Sequence, residues 1–182
     1  CKLDLDYLIN ARDWLIISCY IGQRVSDLMQ MDKSKIRVEN GKKLIEFTQK
    51  KTGKIMTVPL HPKVLEILDK RDGEFPRAIT SQNYNNYIKT VCQEAGLSEK
   101  VRGGKKVETF EGSKIYRKKT DIYEKWELVS SHIGRRSFAT NFYGQIPTSY
   151  LIYVTGHSTE QMFLKYIGKS NKDLALEITN YF

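Results

Sequence analysis

From Leu5 to Gly22 the apolar residues Leu8, Ile9, Leu15, Ile16, Ile17 and Tyr20 recur at helical spacing, and Gly22 stands where a left-handed turn would end that helix. A second short helix is expected from about Arg24. The period then changes. Lys35-Ile-Arg-Val38, Lys43-Leu-Ile-Glu-Phe-Thr48 and Lys54-Ile-Met-Thr-Val58 are β-branched and aromatic runs, separated by Asn40-Gly41 and Thr52-Gly53. They predict a small antiparallel sheet of three strands. Pro62 suits the first turn of a helix reaching Lys70, and residues 81–95 read as another, stopped by Gly96.

Residues 101–128 are basic, glycine-punctuated and without sustained helical period, so a hairpin or a long loop is expected there. Helical spacing returns in four pieces, 131–143, 147–155, 159–167 and 171–181. Ser158-Thr159-Glu160-Gln161 spells a capping box with Ser158 as the cap, which would fix where the third piece starts. The class is therefore α+β, mostly helical, with one small sheet after the second helix. At 182 residues a single domain is expected.

Composition and charge narrow the function. Lys and Arg total 30 against 21 Asp and Glu, a formal net charge of +9, and such an excess concentrates polyanions at the surface. Nucleic acid is the first partner to consider. The charge-free stretch 137–159 holds Asn141, Gln145, Pro147 and His157, so no membrane span is expected. Cys1, Cys19 and Cys92 form neither a CxxC pair nor an even framework, which suits a reducing cytoplasm and argues against structural zinc. The chain opens on Cys1 rather than Met and has the look of a fragment of a longer protein.

Candidate chemistry is scattered. His132 and Arg135 fall one turn apart on a helix face, His157 stands just ahead of the next-but-one helix, and Tyr166 falls in that helix's last turn. Taken singly, each has a plainer use: a packed tyrosine among 11, a helix-start arginine at Arg24, a turn lysine at Lys51. His61, before Pro62, keeps such a plain structural use.

The ordered set is more informative. Gly22-Gln-Arg24-Val-Ser-Asp27, Lys51 ahead of Val58-Pro59-Leu60, Ser131-His132-Ile-Gly-Arg135-Arg136-Ser-Phe-Ala-Thr140, Gly156-His157-Ser158 and Tyr166 together resemble the catalytic domain of tyrosine recombinases, the phage-integrase family. The resemblance spans nearly the whole chain. It implies that fold, an enzyme that cuts and rejoins double-stranded DNA through a 3′-phosphotyrosine, strand exchange through a four-way junction, and a homo-oligomer on DNA. It implies as well a separate DNA-clamping domain ahead of this one, and a last helix able to dock on a neighbouring protomer. The spelling Arg-Arg-Ser-Phe-Ala-Thr is similar to integrases of Bacteroidetes mobile elements.

The chemistry rationalises the residue types. A phenol with an ordinary pKa near 10 needs a base or a strong positive field to attack phosphorus, and His132 is positioned to accept or orient its proton. Two planar guanidinium forks, Arg24 and Arg135, match the non-bridging oxygens of the phosphorane. Lys51 is the expected general acid for the 5′ oxygen, ahead of Lys50 and Lys54 in the same turn. His157 would donate to the scissile phosphate, and Asp27 would orient Arg24 or a histidine. No carboxylate lies inside the His132 or Tyr166 motifs, so no metal cofactor is implied. Lys50, Lys54, Lys105, Lys106, Lys114, Lys118 and Lys119 would touch backbone phosphates. Two other functions remain open at this stage, a DNA-binding module that does not cut and a type IB topoisomerase-like enzyme.

Overall fold

The helical spacing of the first segment produces α1 (Asp6–Ile21), whose Trp14, Ile17 and Ile21 are fully buried, in a computed structural model that describes residues 5–182. Cys1 lies outside the described residues. After α2 (Val25–Leu28) come three antiparallel strands in the order β1 (Ile36–Glu39), β2 (Lys42–Thr48) and β3 (Ile55–Pro59). Ile45 opposes Val58 and Phe47 opposes Met56, and all four are buried, because alternate residues of a strand share one face. α3 (Pro62–Asp69) follows, with Pro62 in its first turn; His61 caps it by accepting from the Lys63 N–H (3.2 Å) and stacks on Tyr20 (4.3 Å between centroids). His61 has a structural use.

α4 (Ser81–Glu94) leads into β4 (Lys100–Glu108) and β5 (Tyr116–Glu124). The basic segment is thus a two-stranded hairpin rather than a long loop, with Lys106 opposite Lys118 and Lys105 opposite Lys119. Four helices complete the chain: α5 (His132–Phe142), α6 (Thr148–Thr155), α7 (Glu160–Ile167) and α8 (Asn171–Ile178). The cap of α7 is one residue later than the capping-box spelling suggests. Thr159, not Ser158, accepts from the Met162 N–H (3.2 Å), since a side-chain oxygen reaches the N–H three residues on and α7 starts at Glu160.

Residues 5–15 and 76–131 form one compact unit, and residues 16–75 and 132–182 a second. In the first, Leu8 of α1 packs with Val91 of α4, flanked by Ile9, Leu15 and Tyr87. Asn10 holds both the N–H and the carbonyl of Arg77 at 2.8 Å, and the Trp14 indole donates to the same carbonyl at 2.9 Å. These bonds satisfy polar groups that would otherwise be buried unpaired.

In the second unit, the end of α1 and the start of α5 approach closely. A Cβ on Gly134 would sit 1.6 Å from Ser18 Oγ and 2.6 Å from Ser18 Cβ, so only glycine fits. Gly22, at φ +69°, turns the chain out of α1 beneath the Phe138 ring. The Tyr143 hydroxyl donates to Glu177 (2.9 Å) and Lys169 pairs with the same carboxylate, which ties α8 to the end of α5; Leu176 and Ile178 stay exposed. Burial, reinforced by that Glu177 bond, pushes the Tyr143 phenol up to about 12. Gly134→Ala should destabilise the fold by about 1–3 kcal/mol, the cost of forcing extra atoms into a packed contact, and lower the melting temperature by several degrees in a thermal unfolding scan. An unchanged melting temperature would contradict the close approach.

Candidate active site

The first turn of α5 carries His132, and three residues on the chain brings in Arg135, only 4% exposed. Arg135 Nη1 donates to the Gly22 carbonyl (3.0 Å), an acceptor left open where α1 ends. The same turn sets Arg24 in extended backbone (φ −71°, ψ 153°) as the residue capping α2. Two guanidinium groups therefore share one region. Burial first, and then the Arg24 charge, bring the Arg135 guanidinium down to about 10, so it is still protonated at neutral pH.

Tyr166 comes from the last turn of α7. Its hydroxyl oxygen is sealed from solvent and makes no well-formed hydrogen bond, although Arg135 lies near enough to act on it electrostatically. Arg136 braces the residue from a second side: Nη2 donates to the Tyr166 carbonyl (2.9 Å) and the guanidinium carbon sits 5.4 Å from the ring centroid. Burial pushes the phenol above its ordinary 10, against the pull of Arg135, Arg136 and Arg24. The His157 ring lies 4.8 Å from the Tyr166 ring and 5.6 Å from that of Phe163, and its Nδ1 is 2.8 Å from Thr155 Oγ1. It gets there because Gly156, at φ +60°, ends α6 in a left-handed turn that carries the His157 N–H back to the Ile152 carbonyl (3.2 Å). Burial, then Arg135 and Arg24, hold the imidazole below its ordinary 6.5.

The β2–β3 turn is tied to this cluster through two buried glutamines, Gln23 and Gln49. Gln23 Nε2 donates to the Val154 carbonyl (2.7 Å), Gln49 Nε2 donates to Gln23 Oε1 (3.1 Å), and Thr52 Oγ1 donates to Gln49 Oε1 (2.7 Å). Asp27, fully buried, accepts the Lys50 N–H at 2.9 Å through Oδ1. It hydrogen-bonds neither Arg24 nor a histidine; its anchor is the turn, and its charge reaches Arg135 through space. Lys51 stands exposed at the tip of that turn, with Lys50 and Lys54 exposed beside it. Among the described residues no three His, Cys, Asp or Glu side chains gather in a metal-binding group.

A sequence profile described as the phage integrase family matches residues 8–173 of this chain. The chain belongs to the phage integrase family. Solved structures agree at the level of fold. The XerH site-specific recombinase in a pre-cleavage complex with its difH substrate superposes with a TM-score of 0.62 at 18% identity, over 99% of this chain and 49% of that one. The Tn1549 transposon integrase in complex with transposon right end DNA gives 0.58 at 14% identity, over 95% of this chain and 59% of that one. A lambda integrase dimer bound to a COC′ core site gives 0.57 at 20% identity, over 90% and 54%. The present chain thus spans about half the length of the first of these structures. No curated protein matches the sequence.

In this phage integrase chain Arg24, Arg135, His157 and Tyr166, drawn from four separate stretches, act on one another. His132 and Lys51 are exposed and do not bond to that group. Four supporting residues escape a reading of motifs: Gln23, Gln49, Thr155 and Arg136. The Arg135-Arg136 doublet is a visible signal for the last; the two glutamines are polar residues whose burial no local pattern announces. Because the fold prefers neutral His157, its contribution to stability is complete above pH 6.5 and erodes as pH falls through the window below it. An NMR titration should show the His157 ring titrating below pH 6.5, and a midpoint at or above 6.5 would contradict the arrangement.

Proposed function

We propose that this chain cuts and rejoins double-stranded DNA as the catalytic portion of a site-specific recombinase, an integrase of a mobile element such as those of the Bacteroidetes. The observation that carries the reading is the sealed Tyr166 hydroxyl, without a well-formed hydrogen bond, held in the field of Arg24, Arg135 and Arg136 with one imidazole alongside. A phenol kept protonated by burial is inert until a phosphate enters. An electrophilic phosphodiester bound by Arg24 and Arg135 then supplies the target and draws the hydroxyl toward phosphorus.

The bond between Tyr166 Oη and phosphorus forms and the bond from phosphorus to the 5′ oxygen breaks. His132, whose ring nitrogens are uncommitted, takes the phenol proton, and Lys51 on its exposed turn gives one to the departing oxygen. Arg24 and Arg135 hold the non-bridging oxygens, and Arg24 Nη1, buried without a partner, has a donor to spare for them. Asp27, through Lys50, sets the turn that carries Lys51. The phosphotyrosine retains the phosphoester bond, so a second 5′ hydroxyl can reseal it without ATP. This reading draws its charge stabilisation from the protein and calls on no metal or cofactor. It takes the chain to be one domain of a longer protein that includes a DNA-clamping domain, working as a homo-oligomer on DNA in the cytoplasm. Among the described residues, no helix is long and apolar enough to cross a membrane.

The lysines divide by their surroundings. Lys105 pairs with Glu127 (2.7 Å) and Lys119 with Asp121 (3.0 Å), so both are partly neutralised. Lys106 and Lys118, opposite each other on the hairpin and both exposed, are the better phosphate contacts there, together with Lys50 and Lys54.

On a nicked suicide DNA site, Tyr166→Phe should abolish the covalent adduct while leaving DNA affinity within about twofold, since one hydroxyl is lost. Persistence of an adduct would refute the nucleophile. Arg135→Ala should slow adduct formation by roughly a hundredfold or more, as removal of an oxyanion donor does. If the wild type binds DNA with no adduct, the chain is a binding module; if it relaxes any plasmid yet joins no two sites, it is topoisomerase-like. Lys106→Ala should weaken binding evenly across sequences and reduce the salt slope by about 0.9, read from filter binding at several salt concentrations. An unchanged slope would remove the hairpin from the interface.

A further inference from the structure

Thr155 is fully buried at the end of α6, and its hydroxyl touches two acceptors. Oγ1 lies 2.5 Å from the Leu151 carbonyl and 2.8 Å from His157 Nδ1. A hydroxyl has one proton to give. At 2.5 Å the carbonyl contact is tolerable only with that proton between the two oxygens, because otherwise lone pairs would face each other. Oγ1 therefore presents a lone pair to His157, and Nδ1 has to carry the hydrogen. We infer that Thr155 is a positioning residue that locks neutral His157 as the Nδ1–H tautomer, leaving Nε2 as a bare acceptor in the free protein.

The inference rests on the reading that His157 meets the scissile phosphate, and it adds a condition to it. A phosphate oxygen only accepts, so bare Nε2 cannot hold it until the ring takes up a proton. DNA binding at this position is then coupled to uptake of one proton from solvent. The groups facing the ring are Arg135 of α5, Arg24 ahead of α2, Tyr166 of α7 and Thr155 itself; the two guanidinium charges disfavour the imidazolium, and the arriving phosphate charge favours it. His157 would act as a donor only when its target is present.

The test uses the 182-residue chain labelled with ¹⁵N-histidine, in which three imidazoles report. Above pH 7 the wild type should show a His157 Nδ1 shift of the N–H type and an Nε2 shift of the bare type. Thr155→Val removes the hydroxyl with little change in volume and should turn His157 toward Nε2–H; Thr155→Ser should restore the original pattern. The second readout is adduct formation on the nicked site at pH 6 and pH 8. The wild-type ratio of the two rates should fall roughly threefold or more in Thr155→Val and return in Thr155→Ser, a shift that mere loosening would not produce. Nε2–H in the wild type, or a valine variant with the wild-type spectrum and ratio, overturns the inference. Should the wild type make no adduct at any pH, the cutting activity is refuted, while the spectra still decide the tautomer. If the valine variant fails to fold, the wild-type spectrum and the serine variant carry the test.

Discussion

A guanidinium group taken out of water needs both a hydrogen-bond acceptor and a reason to stay charged, and Arg135 is the residue on which this structure imposes that demand. Its acceptor is the Gly22 carbonyl, and its charge survives burial beside a second cation, Arg24. Two like charges at one place raise the energy of the free protein. Asp27, buried nearby, offsets part of that repulsion, and an entering anion would offset more of it. A phosphodiester is the anion whose oxygen geometry fits two planar forks. The same field acts on the neighbours: it disfavours protonated His157 and draws on the Tyr166 phenol, which burial nonetheless keeps protonated.

Positioning then follows from a short polar chain rather than from the core alone. Gln23, adjacent to Arg24, holds the Val154 carbonyl just ahead of His157 and receives Gln49 from the root of the Lys51 turn. Arg24, Lys51 and His157 are thus tied through side-chain amides that water does not reach. Leaving one member of such a network unpaired costs about 1–3 kcal/mol, enough to keep its geometry fixed. Lys51 itself remains on an exposed tip. On the proposed mechanism, Lys51 as general acid would be delivered by its turn when substrate arrives, whereas the Arg24 and Arg135 clamp would be in place before it.

Much of this was legible in the chain. The alternation of Ile45, Phe47, Met56 and Val58 announces the sheet, and the glycines after α1 and α6 mark the ends from which Arg24 and His157 project. Arg24, Arg135, His157 and Tyr166 stand out in the chain only as an ordered set, through its resemblance to the tyrosine recombinases; singly each has a plainer use. What sequence could not convey was partnership at long range. Asp27 looks like a partner for Arg24, one turn away, yet it bonds to Lys50, which the fold brings in from 23 residues on. The capping-box spelling points to Ser158 as the helix cap, whereas α7 starts at Glu160 and makes Thr159 the cap. Lys105 and Lys119 read as free cations until the fold brings Glu127, in the turn just after β5, beside Lys105, and the strand geometry of β5 sets Asp121 on the same side as Lys119.

The central claim is that the Tyr166 hydroxyl makes the temporary bond to DNA within the field of Arg24 and Arg135. Trapping the adduct on a nicked site, digesting the protein and locating the attached nucleotide by mass spectrometry tests it most directly. The account predicts the added mass on the peptide beginning at Tyr166 and ending at Lys169. A nucleotide mapped to any other side chain, or a bound complex with no covalent product, would contradict it.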